Sequence, residues 1–154
     1  TAETGSTVLT TMPVILRSRL RGFSRAALIR AVTRALRRLN LEHAELSLSV
    51  IGVREMISAN RRFFRKNGPT DVISTSQLEG APTPMSRRAA GELLIGDVLV
   101  SLDAAREQSQ EAGHSLNREL AILAVHGLLH NLGMDDQTPR ERRAMMRKTL
   151  RILR

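Results

Sequence analysis

The sequence contains no cysteine, no tryptophan and no tyrosine, and only three of its 154 residues are phenylalanine. The absence of cysteine excludes disulfides and thiolate metal sites, so any bound metal must be held by histidine and carboxylate. It also agrees with a cytoplasmic protein, which is the location we expect. Because aromatic rings are scarce, base stacking is a poor candidate for how this chain would hold a nucleic acid. The core must be built from aliphatic side chains and methionine.

Long apolar runs are missing as well. The run from Leu120 to Val125 is too short to cross a membrane and is typical of a buried helix. The first residues do not show the basic-then-apolar order of a secretory signal. With 154 residues and 42% hydrophobic content, the sequence predicts a single globular domain over residues 1–154 that has no membrane partner.

Lysine is nearly absent, since Lys66 and Lys148 are the only two, and the net charge of +9 comes almost entirely from arginine. The arginine guanidinium presents a planar fork of donors that matches phosphate. No acidic residue occurs between Glu3 and Glu42. This balance suits a polyanionic partner, although composition alone is equally compatible with a merely solvated surface.

Hydrophobic periodicity predicts an α+β fold, with a small mixed sheet packed against helices. Strands are expected near residues 12–16, 46–50, 72–75 and 92–101, and helices at 24–39, through Met56 and Ile57, at 103–112, at 116–132 and from Thr138 onwards. Thr138, Pro139 and Glu141 together form a capping box with proline at the first helical position. The segment 77–91 contains two prolines and two glycines, which predicts an exposed loop.

Two basic segments are candidates for contact with the phosphate backbone of a nucleic acid. The candidate nucleic-acid-binding residues are Arg34, Arg37 and Arg38 on the first helix, and Arg61, Arg62 and Lys66 before Pro69. On the first helix these arginines lie opposite an apolar face that includes Leu28 and Val32. The alternative, that both segments are only the solvated surface of amphipathic helices, stays open on the sequence alone.

The candidate metal ligands are His126, His130 and Asp136. Histidines four residues apart on a helix project from one face, so both can reach one ion. Gly133 allows the chain to turn sharply off the helix and return Asp135 and Asp136 towards the pair. Three protein ligands with a fourth position left to water are typical of a catalytic zinc site, so one divalent ion, zinc, is the expected cofactor. The alternative is a pair of helix-terminal histidines beside solvated aspartates.

The spacing of these three residues resembles that of the metzincin proteases. Those enzymes carry a glutamate directly after the first histidine, where it acts as the general base. In this sequence that position is Gly127. A metalloprotease-like hydrolase is therefore only a distant alternative.

Several longer stretches match a different family. They are Pro69 to Ser74, Gly96 to Ser101, Gly113 to Ser115, Glu119-Leu120 and His126 to Asp135, in that order along the chain. These stretches resemble the YbeY family of bacterial endoribonucleases, which act in ribosomal RNA maturation, and the correspondence runs from about residue 45 to the C-terminus. The resemblance implies a zincin-like α+β fold, one zinc ion, and hydrolysis of single-stranded RNA in ribosomal RNA processing and ribosome maturation.

The sequence departs from the family pattern at two functional positions. Asp136 stands where the family has a third histidine ligand, and a carboxylate should make the ion a poorer Lewis acid and less selective for zinc. Phe64 stands where the family has an arginine thought to be functional. Arg65 comes one step later, about 100 degrees around a helix, so it can replace that arginine as the catalytic residue only if the chain is irregular there.

These departures motivate a second hypothesis. The chain could be a catalytically weakened RNA- or ribosome-binding protein on the same fold. Asp71 and Asp97 lie on strands that the resemblance places near the cleft, where either can orient a ligand or serve a structural role. His114, just before a helix, is expected to be a structural hydrogen-bonding residue, and His43 is expected to be exposed.

Overall fold

The structure, a computed structural model, describes residues 13–76 and 93–154, so the expected loop at 77–91 lies outside the described residues. The elements in these ranges are β1 (Val14–Arg17), α1 (Arg25–Arg38), β2 (Ala44–Ile51), α2 (Val53–Phe64), β3 (Val72–Ser76), β4 (Leu93–Ser101), α3 (Leu102–Ala112), α4 (Leu116–Asn131) and α5 (Pro139–Ile152). This mixture confirms the α+β prediction. None of the described helices is both long enough and apolar enough to cross a membrane.

The four strands form one mixed sheet, as expected. Their order is β1-β2-β4-β3, with β1 parallel to β2, β2 parallel to β4, and β3 antiparallel to β4. The buried residues of β2 alternate with partly exposed ones, which is the pattern of a strand with one face on the core. The pairing of β2 with β4 shifts between Glu45 and Leu46, and Leu46 pairs with Gly96 rather than Ile95. The extra residue in β4 is a bulge, which bends the strand locally.

Serine and threonine side chains mark where four of the five described helices begin. Ser24, Ser101, Ser115 and Thr138 each accept a backbone N–H from the first turn of the following helix, at 3.1–3.2 Å. Such caps satisfy N–H groups that have no partner inside the helix. The capping box predicted for α5 is present in modified form, because the Glu141 carboxylate accepts from the N–H of Gln137, one residue before the cap, at 3.2 Å.

The helix α4 is the centre of the described core. It packs against β3, β4, α1, α3 and α5. Every residue from Glu119 to Asn131 is buried except His126 and His130, which are partly exposed. The burial of Glu119 is explained by His114, whose Nε2 lies 2.5 Å from its carboxylate, and this contact confirms the structural role expected for that histidine.

Gly127 sets how closely α4 approaches the sheet. A Cβ at this position would lie 2.6 Å from Cγ1 of Val98 and 3.1 Å from Cγ2 of Val72. Valine is stiff at χ1, so these methyl groups have little freedom to move away. Only glycine therefore fits at this point, and α4 lies directly against β3 and β4. His126 and His130 lie on a different face of α4 from Gly127.

Candidate metal centre and cleft

His126 and His130 line a cleft bordered by β3, the end of α2 and the turn that follows α4. The turn is a Schellman motif, in which Gly133 N–H donates to the His130 carbonyl at 2.9 Å and Met134 N–H to the Leu129 carbonyl at 3.1 Å. Gly133 has a φ of +96°, a conformation that favours glycine. This motif reverses the chain and brings Asp136 back to the two histidines.

The three predicted ligands, His126, His130 and Asp136, lie close together beside this turn. The two Nε2 atoms of His126 and His130 are 3.1 Å apart. Oδ2 of Asp136 lies 3.1 Å from Nε2 of His126 and 3.2 Å from Nε2 of His130. The three side chains are 20%, 26% and 31% exposed, so the triangle can be reached from solvent through the cleft.

The dimensions of this triangle fit a tetrahedral metal ion. Zinc bonds of about 2.0–2.1 Å separate neighbouring ligands by roughly 3.3 Å, close to the observed 3.1–3.2 Å. A neutral imidazole nitrogen and a carboxylate oxygen both present lone pairs. Lone pairs that converge on one point are stabilised by a cation there, so these residues could together hold a metal ion.

The protonation state of His126 also suits ligation. Burial lowers the pKa of His126 below its usual value, and the neighbouring His130 lowers it further. The negative charge of Asp136 and its hydrogen bond oppose this effect but do not cancel it. The imidazole therefore favours the neutral form, which is the form that binds metals.

The other carboxylates near the cleft are placed differently. Asp135 lines the cleft but is exposed and lies outside the ligand triangle. Asp71 also lines the cleft, and its Oδ2 accepts a hydrogen bond from Nε2 of Gln108 at 3.1 Å. Asp97 instead contributes its backbone carbonyl, which accepts from Nδ2 of Asn131 at 3.3 Å. Of the two strand-associated aspartates, Asp71 is the one whose position allows it to orient a ligand.

The end of α2 forms one wall of the cleft, and here the chain is irregular. The helix ends at Phe64, and Arg65 adopts a left-handed conformation with φ of 53°. This is the irregularity that Arg65 requires if it is to replace the family's arginine. However, the side chains that line the cleft are Phe63, Phe64 and Lys66, and Arg65 is not among them. The catalytic role of Arg65 therefore stays a prediction.

The remaining candidate RNA-binding arginines are not brought to the cleft wall. Arg61 and Arg62 are exposed on α2, and Arg34 and Arg37 are exposed on α1. Arg38 has a structural contact, because its guanidinium donates to the backbone carbonyl of Ile152 and, at 3.4 Å, to that of Arg151. It thereby joins the end of α1 to the last turn of α5.

Three features of the cleft were not predicted from the sequence. Two phenylalanines stand half-exposed on its wall. Asn131 is buried on the cleft floor, and its Oδ1 has no hydrogen-bond partner among the described residues. In the sequence, the only indication that Asn131 lies in the cleft is its position directly after His130. Position 127 faces the sheet, so a protease-type glutamate there would point away from the ligand triangle.

Comparisons with known proteins show what this chain is similar to. The sequence profile described as Endoribonuclease YbeY matches residues 19–154. Endoribonuclease YbeY of Pelotomaculum thermopropionicum is 45% identical over 112 residues, covering 73% of this chain and 72% of that protein. The Oceanobacillus iheyensis protein of the same name is 42% identical over 111 residues, covering 71% and 72%. The solution structure of TM1509 from Thermotoga maritima has the same fold, with a TM-score of 0.57 at 17% identity over 90% of this chain and 89% of that one.

Proposed function

The chain belongs to the YbeY family of endoribonucleases, and on that premise we propose that it cleaves single-stranded RNA with the help of one divalent metal ion. The enzyme class follows from the family, since an endoribonuclease is a hydrolase that acts on RNA. The observation that supports the metal site is the triangle of His126, His130 and Asp136, whose ligand atoms are 3.1–3.2 Å apart.

The proposed ion is zinc. Two imidazole nitrogens and one carboxylate oxygen form a ligand set that catalytic zinc sites use. When bound, such an ion polarises a phosphodiester oxygen and supplies an acidified water. The open side of the triangle faces the cleft, so a phosphate of the RNA strand can approach it there.

Basic side chains at the end of α2 are proposed to hold the strand. Lys66 lines the cleft and is placed to contact a phosphate that enters it. Arg65, exposed beside it, is proposed to steady the negative charge that develops on the phosphate during cleavage. We place the physiological target in ribosomal RNA or the ribosome, because the family acts in ribosomal RNA maturation.

The alternative is a protein that binds RNA without cleaving it. Phe64 and Asp136 favour this alternative, because both replace residues that the family uses for function. Neither change removes the cleft or the convergence of the three ligand atoms. Endoribonuclease activity therefore remains the function that the geometry supports best.

Metal content and RNA cleavage test both parts of the proposal. Purified protein should carry about one equivalent of zinc and should cleave single-stranded RNA faster than a duplex of the same sequence. The variant His130→Ala should lose both the metal and the activity, and Asp136→Ala should weaken metal binding. The matched control is His43→Ala, because His43 is exposed and does not line the cleft.

The outcomes separate the hypotheses. Protein that retains the metal and binds RNA, yet shows no cleavage above the His130→Ala background, is the RNA-binding alternative. Protein that takes up no metal even in excess zinc has no site at the triangle.

A further inference from the structure

Two of the three phenylalanines in the chain are half-exposed on the cleft wall. The side chains of Phe63 and Phe64 are 51% and 48% exposed. Both line the same cleft as His126, His130 and Asp136. A phenylalanine left in water forgoes much of the stabilisation that burial provides. Two adjacent exposed rings beside a candidate active site therefore call for a functional explanation.

We propose that Phe63 and Phe64 form a stacking platform for a nucleobase of the RNA strand that enters the cleft. This inference rests on the proposed RNA-cleaving function and adds the way in which the substrate is held. Every nucleobase has a flat π-face, so stacking on an aromatic ring holds a single strand without requiring a particular sequence. The chain contains few aromatic residues, but two of them lie where a base of the bound strand could stack, so their scarcity does not exclude stacking.

The charges around the two rings favour RNA over a protein partner. The segment reads Arg61-Arg62-Phe63-Phe64-Arg65-Lys66, so two cations stand on each side of the aromatic pair. The Arg62 guanidinium carbon lies 5.8 Å from the centroid of the Phe63 ring, within the range of a cation–π contact. Single-strand-binding sites combine aromatic rings with cations that follow the phosphate backbone, and this segment supplies both.

The position of Phe64 indicates the path that the RNA strand would take across the platform. Phe64 lines the cleft that contains the ligand triangle and also an adjacent depression bordered by Asn60, Asn67 and Thr70. Its ring therefore lies at the border that the two spaces share, together with Lys66, Thr70 and Val72. A strand with a phosphate at the triangle can place the neighbouring base on this ring and continue into the adjacent depression, which is lined by the amide of Asn67 and the hydroxyl of Thr70.

The backbone beneath the rings is fixed by hydrogen bonds. The Arg65 N–H donates to the Arg61 carbonyl at 3.0 Å, which closes the end of α2. The buried Asn60 donates from Nδ2 to the carbonyl of Gly68 at 3.0 Å, tying the helix to the segment that follows it. A platform held in this way loses less conformational entropy when a base binds.

Fluorescence of 2-aminopurine tests the stacking directly. The protein contains no tryptophan or tyrosine, so its own emission is minimal. Short single-stranded RNAs carrying the probe at successive positions are mixed with the holoenzyme in a stopped-flow instrument and recorded before turnover. At the position next to the bound phosphate, wild-type protein should quench the probe. The single variants Phe63→Leu and Phe64→Leu should lessen the quenching, and each should bind roughly 5- to 100-fold more weakly.

Two controls separate stacking from a structural role. Phe64→Tyr keeps a π-face and should therefore retain both the quenching and the affinity of the wild-type protein. Ile57→Ala should change neither, since Ile57 is on the same helix and 38% exposed but does not line the cleft. On the substrate side, an abasic nucleotide at the quenched position should weaken binding to wild-type protein as much as the leucine variants do. In turnover, the leucine variants should raise KM more than they lower kcat.

The results also distinguish this inference from the proposed function. If wild-type protein binds and cleaves RNA, while the leucine variants and the abasic substrate leave affinity and quenching unchanged, the platform is wrong and the function stands. If wild-type protein neither binds nor cleaves RNA at any probe position, the proposed function fails and the platform fails with it.

Discussion

At the scale of single residues, Asp136 is the change most directly tied to the chemistry. Its Oδ2 lies 3.1 Å and 3.2 Å from the Nε2 atoms of the two histidines, so the three side chains could together hold an ion. A carboxylate differs from the family's imidazole in charge rather than in its capacity to bind. The added negative charge should make a bound ion less positive and its water less acidic.

Replacing this carboxylate should therefore improve the site. Asp136→His should tighten zinc binding and raise the rate of RNA cleavage, because a neutral ligand leaves the ion more positive. A fall of about one unit in the pKa of the bound water would give about ten times more hydroxide at a pH below that pKa. Zinc titration against a chromogenic chelator and the rate of cleavage across pH measure the two effects.

The neighbouring carboxylate provides the matched control. Asp135 lines the cleft but is exposed and lies outside the triangle, so Asp135→His should leave zinc affinity and activity nearly unchanged. An equal gain from Asp135→His, or no gain from Asp136→His, would identify Asp135 or a water as the third ligand.

At the scale of elements, the sequence predicted helices best where a cap marks the start. The first helix was expected at 24–39, and Ser24 and Leu39 are the caps of α1. The helix carrying the histidines was expected at 116–132 and runs over Leu116–Asn131. Capping side chains and apolar periodicity act locally, so one sequence is enough to detect them.

Features that depend on packing between elements were not predictable. The full length of α2 is an exception, because the sequence did carry a signal for it: the helix is predicted only through Met56 and Ile57 but continues to Phe64, and Phe63 and Phe64 extend the apolar spacing of those two residues. The scarcity of aromatic residues argues against base stacking, but composition does not show where the few aromatic side chains lie in the fold. Spacing along one helix placed His126 and His130 on one face, whereas the approach of Phe63 and Phe64 to them depends on how α2 packs.

Gly127 shows how packing overrides helix propensity. Within a helix, replacing glycine by alanine usually stabilises by about 0.5–1 kcal/mol. Here the new Cβ would lie 2.6 Å from Cγ1 of the buried Val98, and overpacking of this kind costs about 1–3 kcal/mol. Gly127→Ala should therefore lower the free energy of unfolding, by about 1–2 kcal/mol net, measured by urea denaturation of the metal-free protein.

A double-mutant cycle isolates the contact. Val98→Ala alone removes buried methyl groups and should also destabilise the protein. Combined with Gly127→Ala, it should cost less than the sum of the two single changes, because the space it leaves receives the new Cβ. Additive losses would show that the helix is held away from the sheet at this position.

At the scale of the whole molecule, the net charge of +9 is distributed over surfaces with different roles. Arg38 holds the end of α1 to the last turn of α5 through two backbone carbonyls, so its substitution would alter stability as well as binding. Arg34 and Arg37 are exposed on the same helix, one turn apart. Arg61 and Arg62 stand beside the phenylalanines of the cleft. The two pairs are therefore the cleaner probes of contact with RNA.

The salt dependence of RNA binding should report how many of these cations touch phosphates. For single strands the slope of log affinity against log salt is about −0.7 per phosphate neutralised. The double variant Arg34→Ser, Arg37→Ser should therefore make the slope shallower by about 1.4, and Arg61→Ser, Arg62→Ser should do the same. Fluorescence anisotropy of a labelled single-stranded RNA over a series of KCl concentrations measures it. Cleavage of a very short RNA should survive both changes, since phosphate contacts position the strand.

A third pair distinguishes local contact from diffuse charge. Arg143 and Arg147 are exposed on α5, four residues apart, and outside the candidate RNA-binding segments. Replacing both by serine removes the same charge as the other double variants and should leave the slope unchanged. If the slope became shallower by the same amount for all three pairs, RNA binding would depend only on the overall positive charge of the protein. A slope altered at Arg61 and Arg62 but not at Arg34 and Arg37 would place the RNA path along the end of α2 and would show that the arginines of α1 contact only solvent.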